Sequence, residues 1–238
     1  MTSMSLEWVL GLALMAGLSI PAGALVSSNV LLNNICRRME LDSFVSYFGG
    51  GALLAAIALV LIPRSIGNGS VLSVVISFGA GALLFWQFSA WTKRTQNTAS
   101  QFMAMLLDFF PEAMLLGALA KNDSNMVYLL AGLIALQNMP EGFAAYNELT
   151  KSKQTRSRLL IIFLTVPLVG PLAAWLGFEW FSSSEYNPAM ILLFFSGGIL
   201  YLIFEDIAPS AHREHKSFLS LGAICGFLLG LVGTMLIH

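Results

Sequence analysis

The sequence predicts an all-α integral membrane protein of eight transmembrane helices, and three observations carry that expectation. Of 238 residues, 57% are hydrophobic and only 11% are charged, whereas an ordinary soluble domain is about 25% charged. The apolar residues, with a mean hydropathy of +0.77, recur in blocks of about 20, the length at which a helix crosses the hydrocarbon. No two-residue alternation runs through them, so a β-barrel is excluded. The basic residues fall almost entirely between alternate pairs of blocks, as they do in multi-spanning proteins.

The blocks run over 7–27, 44–64, 71–91, 101–120, 126–147, 158–178, 188–208 and 217–237. Polar or turn-forming stretches separate them, among them Asn33 to Arg38, Gly67-Asn-Gly69, Lys93 to Asn97, Lys121 to Ser124 and Ser182 to Asn187. All these connections are short, so residues 1–238 are expected to form a single transmembrane domain. The loops after spans 1, 3, 5 and 7 hold Arg37, Arg38, Lys93, Arg94, Lys151, Lys153, Arg156, Arg158, Arg213 and Lys216, against Arg64 and Lys121 on the other side. That bias places both termini away from the cytoplasm. The first residues, Met-Thr-Ser-Met-Ser-Leu-Glu, lack a basic region and do not read as a cleaved signal peptide. Cys36 and Cys225 are too few and too far apart to predict a disulfide framework or a thiolate metal site. No basic run suits nucleic acid, so the lipid bilayer is the expected partner.

Two segments break the apolar pattern. Asp108-Phe-Phe-Pro-Glu112 lies mid-way along span 4, and Gln137-Asn138-Met-Pro-Glu141-Gly142 mid-way along span 5. A charged side chain at that depth costs about 2.5 kcal/mol or more and marks a functional site by default. A connection of about five residues makes the two helices antiparallel neighbours. In each helix the polar residue and the glutamate are four apart, on one face, one turn from each other. Asp108, Glu112, Gln137 and Glu141 are thereby expected to converge. Pro111 and Pro140 withhold hydrogen bonds from the carbonyls of Leu107 and Leu136. Three carboxylates in a low dielectric cannot all stay ionised without a cation, so these residues point to a divalent ion or to a proton relay.

The pattern resembles the ZIP family of divalent-metal transporters, especially its bacterial branch. Gln137-Asn138-Met139-Pro140-Glu141-Gly142 matches that family's fifth-span motif. Gly197 to Pro209, with Tyr201, Glu205 and Asp206, is similar to its seventh span, and Leu61-Ile62-Pro63 ends span 2 in the same way. The resemblance implies an eight-helix bundle with both ends outside the cytoplasm, in which spans 1, 4, 5 and 6 move against spans 2, 3, 7 and 8. It implies a multi-pass carrier of the bacterial inner membrane that moves zinc, or manganese, iron or cadmium, toward the cytoplasm. The metal is then the substrate, bound by Asp108, Glu112, Gln137 and Glu141, with Asn138 orienting a ligand or a water. Proton coupling, and a second copy in a homodimer, are open options.

The departures from the family are specific. Asp108 stands where the family has His, Phe109 where it has Asn, Ala113 where it has Gly, and Gly170 where it often has Glu. A second metal would need Phe109, Asn138, Glu141 and Gly170, two of which cannot ligate, so one ion is expected. The remaining set is all-oxygen, a chemistry that suits harder ions such as manganese, although zinc also accepts carboxylates. Glu205, Asp206, His212 and His215 are candidates for a cytoplasmic exit site, against a plainer reading as interface and loop residues. Met103 or Met105 is considered for an entrance. Gly49-Gly-Gly51, Gly79-Ala-Gly81 and Gly197-Gly198 offer smooth surfaces for close helix packing or sliding. Two other readings stay open: a proton or organic-solute carrier using the same carboxylates, and a degenerate relative that senses or binds without transporting. No nucleophile elbow and no His-Glu-x-x-His is present, so the chain is not expected to be an enzyme.

Overall fold

A computed structural model describes residues 4–32, 41–66, 70–94, 100–121, 124–150, 155–181, 188–207 and 218–237. Apart from short caps these stretches are helical, and no strand occurs among the described residues. In chain order the helices are α1 (Leu6–Ser28), α2 (Leu41–Ala56), α3 (Ile62–Ile66), α4 (Val71–Arg94), α5 (Ser100–Leu119), α6 (Ser124–Leu149), α7 (Arg156–Thr165), α8 (Val169–Phe181), α9 (Pro188–Leu202) and α10 (Leu219–Ile237). Among the described residues, five stretches are long and apolar enough to cross a membrane: Leu6–Ser28, Ser43–Leu61, Val71–Trp91, Arg156–Phe181 and Leu219–Leu236. Ala189–Glu205 is apolar but shorter. The protein is therefore an all-α, multi-pass membrane protein. In hydrocarbon each backbone N–H and C=O must bond within its own segment, which leaves the helix as the only open-ended solution.

Proline shapes these helices in three ways. α5 and α6 continue through Pro111 and Pro140 without a break. The sixth apolar block does break: Val166–Leu168 is a tight 3-10 turn between α7 and α8. Pro167 and Pro171 are four apart, so Phe163 and Pro167 carbonyls both lose their usual donors, and the chain winds more tightly there. In the second block a π turn, Ile57–Leu61, precedes Pro63, and in the seventh another, Ile203–Ile207, precedes Pro209. At its far end α1 stops at Asn29, whose side-chain oxygen accepts from the N–H groups of Leu31 (3.1 Å) and Leu32 (3.3 Å).

Glycine decides which helices pair. A Cβ at Gly23 of α1 would collide with the carbonyl oxygen of Met139, and one at Gly142 of α6 with that of Ile20. The same reciprocal contact joins α2 to α10 (Gly51 on Ala223, Gly226 on Phe48), α4 to α9 (Gly81 on Phe194, Gly197 on Phe78) and α5 to α8 (Gly117 on Ala174, Gly177 on Met114). Backbones that touch this closely gain dispersion contacts that lipid does not supply. The smooth surfaces expected at Gly51, Gly81 and Gly197 thus hold pairs together. Gly79 meets nothing within 4 Å.

The pairs assemble into two groups. α1, α5, α6, α7 and α8 pack on one another, and α2, α4, α9 and α10 form the second set, joined through the α3 region. In the first group the rings of Phe102 (α5), Phe163 (α7) and Tyr146 (α6) meet edge-on, with centroids 5.3 Å and 5.6 Å apart. Between the groups, α2 packs on α6, and there a Cβ at Gly49 would lie 2.6 Å from Gln137 Cβ.

Candidate metal site

α5 carries Asp108 and Glu112 on successive turns, and α6 carries Gln137 and Glu141 likewise. The two helices pack together, and the four side chains line one cavity of about 20 Å³. That is room for a single water-sized particle. The opposite wall is apolar and comes from the second group: Leu53 of α2, Ile199 and Leu202 of α9, and Ile203 at the start of the π turn. Among the described residues, every polar side chain lining the cavity therefore belongs to one helix group, and the boundary between the groups runs through it.

The cavity's own hydrogen bonding is incomplete. Gln137 Nε2 donates to Glu112 Oε1, which ties α6 to α5. Glu112 and Gln137 are both 2% exposed, and Glu112 Oε2 and Gln137 Oε1 are buried without a hydrogen-bond partner in the protein. Leaving one such oxygen unsatisfied costs about 1–3 kcal/mol, more if it is charged. An ion or a water in the cavity would answer both. The expected convergence is nonetheless only partly reached. Among the described residues no three His, Cys, Asp or Glu side chains stand close enough to hold a metal ion. The Glu112–Gln137 hydrogen bond occupies one oxygen of Glu112 and leaves Glu112 Oε2 and Gln137 Oε1 as the oxygens still to be satisfied.

Asn138 is fully buried but lies outside this cavity. Its Nδ2 donates to the Ala16 carbonyl at 3.3 Å, so it fastens α6 to α1, while its Oδ1 has no partner in the protein. Phe109 is fully buried as well. Its ring tip would lie 2.8 Å from a Cβ at Gly17 of α1 and 2.8 Å from one at Gly170 of α8. The two glycines make room for the ring. The positions Phe109, Asn138 and Gly170 are thus filled by apolar packing and one helix-to-helix hydrogen bond.

Glu205 is half-buried in the π turn, two residues beyond cavity-lining Ile203. The side chain of Asp206, and His212 and His215 entirely, lie outside the described residues, as do Cys36 and the side chain of Arg64. Neither Met103, which is exposed, nor Met105, which is buried, lines the carboxylate cavity. The apolar wall was not legible in the sequence: Leu53, Ile199, Leu202 and Ile203 are ordinary members of apolar blocks. The only hint was their nearness to Pro63 and Pro209.

No protein-family model matches this sequence, and no functionally curated protein is significantly similar to it. Any functional reading therefore rests on the motifs and on this geometry.

Proposed function

We propose that the protein carries a divalent metal ion across a membrane through a single site formed by Asp108, Glu112, Gln137 and Glu141. The observation that carries the reading is the ion-sized cavity in the hydrophobic interior, lined by three carboxylates and an amide, with unsatisfied oxygens on Glu112 and Gln137. In this reading all eight apolar blocks span the bilayer, both termini face away from the cytoplasm, and the ion moves inward across a bacterial inner membrane. Zinc, manganese, iron and cadmium are the candidate substrates. The oxygen-only donor set favours the harder ions among them.

The partition of helices supports the transport part of the reading. All four ligands sit on α5 and α6, so an ion bound there would travel with α1, α5, α6, α7 and α8 as one body. The apolar wall of Leu53, Ile199, Leu202 and Ile203 would stay with the other body and keep the ion from leaking past. Close packing of Phe109 between Gly17 and Gly170 supports one ion rather than two, because the ring takes the space a second would need.

Uptake of each ion into proteoliposomes tests the proposal. The wild type is expected to accumulate at least one of the four, and Glu141→Ala to abolish it. Uptake of none would leave a non-transporting binding protein as the better reading. Proton flux that needs the same carboxylates but no metal would make the protein a proton or solute carrier.

A further inference from the structure

A second polar site lies at the C-terminal end of α6, beyond Glu141. A pocket of about 110 Å³ is lined by Ser27 and Ser28 at the end of α1, Tyr146, Asn147 and Thr150 at the end of α6, and Arg156 at the start of α7. Tyr146 is 1% exposed, yet its hydroxyl has no hydrogen-bond partner in the protein. A buried Tyr O–H almost always finds one. The ring itself packs edge-on against Phe163 in the interior. Two of the lining hydroxyl protons are already committed: Ser28 donates to the Leu25 carbonyl and Thr150 to that of Asn147, each at 2.8 Å. Donors available to a ligand among the described residues include the Tyr146 hydroxyl, the Arg156 guanidinium and the first-turn amides of α7, which Thr155 does not cap with its side chain. Glu148, on the same turn of α6, does not line the pocket.

We propose that this pocket binds the phosphate group of a bilayer phospholipid, with Arg156 and Tyr146 as the donors that hold it. A planar guanidinium matches phosphate in charge and geometry, and a helix N-terminus adds partial positive charge. A basic pocket between helices at the membrane surface is a recurrent headgroup site. The membrane source, rather than free phosphate, follows from what surrounds the pocket. Val30 lines it, and Leu31 and Leu32 beside it are exposed apolar residues. From Arg156 inward, Ile161, Leu164 and Leu168 form an exposed apolar ridge at helical spacing along α7 and the turn after it. An acyl chain attached to the bound phosphate would lie along that ridge. The headgroup would then pin the ends of α1, α6 and α7 together, in the helix group that carries Gln137 and Glu141. This proposal does not depend on which ion, if any, occupies the carboxylate cavity.

The test is a thermal-unfolding titration of the detergent-purified protein with dioctanoyl phosphatidylglycerol, with inorganic phosphate and dioctanoylglycerol as separate arms. The phospholipid is expected to raise the unfolding midpoint saturably. Arg156→Gln and Tyr146→Phe, which keep the fold's packing, should each raise the concentration needed for half the shift about tenfold or more. Arg158→Gln, a neighbouring exposed arginine outside the pocket, should leave it unchanged. No shift, or one that survives both pocket substitutions, overturns the proposal. An equal shift from inorganic phosphate overturns the lipid as its source, and an equal shift from dioctanoylglycerol overturns the phosphate as the recognised group.

Discussion

Glu112→Gln separates an ion-binding site from a mere hydrogen-bonded joint between two helices. The carboxylate is buried and lines the cavity, Oε1 accepts from Gln137 Nε2, and Oε2 has no protein partner. Glutamine has nearly the same volume, and its carbonyl can still accept from Gln137 Nε2. The apoprotein is therefore expected to keep its stability to within about 1 kcal/mol. Ion binding should behave differently, because the substitution removes one of three negative charges around a divalent cation in a buried site. Removing one partner of a buried charge pair costs about 3–5 kcal/mol, which is a loss of roughly 100- to 4,000-fold in affinity. Glu112→Ala gives the contrast: Gln137 keeps a buried donor with no acceptor, at about 1–3 kcal/mol, so stability falls with binding. The assay is isothermal titration of manganese, zinc and cadmium into the detergent-purified protein at one pH, alongside thermal unfolding without metal. Glu112→Gln that binds within threefold of the wild type would refute the site. So would a loss of binding that only accompanies a loss of fold.

Three further outcomes are expected. Phe109→Ala should destabilise the fold in thermal unfolding by about 3 kcal/mol, the lower end for a buried Phe, because lipid already offers an apolar alternative; no change would mean the Gly17–Phe109–Gly170 packing holds nothing. Gly226→Ala should lower the unfolding midpoint, since its Cβ would strike the Phe48 carbonyl, whereas Gly79→Ala faces open space and should be neutral or raise stability by up to about 1 kcal/mol. Equal effects at the two glycines would contradict the pairing of α2 with α10. Binding of the ion should release protons, because ligating carboxylates must be ionised; the titration enthalpy should then vary with the ionisation heat of the buffer, and a buffer-independent enthalpy would rule out that exchange.

The sequence by itself determined the class of the protein and which buried polar residues share a helix face. Hydrocarbon tolerates only internally bonded backbone, so apolar blocks of about 20 residues meant helices, and each expected block is helical over its described residues. Polar side chains four apart share a helix face by geometry alone, so Asp108 with Glu112 and Gln137 with Glu141 were legible before any packing was known. Tertiary structure decided everything that depends on neighbours. An apolar side chain gains almost as much from lipid as from another helix, so hydropathy cannot say that α1 pairs with α6 or α4 with α9. Backbone contact at Gly23, Gly142, Gly81 and Gly197 says it, and in the sequence those glycines look like Gly79, where an added Cβ would meet open space. The same holds at the site: Leu53, Ile199, Leu202 and Ile203 became its apolar wall only when two helix groups met. Phe109 changed from a missing ligand into a ring seated between two glycines. The expected convergence of four oxygens became a cavity in which Glu112 and Gln137 first bond each other, because buried polar groups pair with whatever donor or acceptor lies nearest.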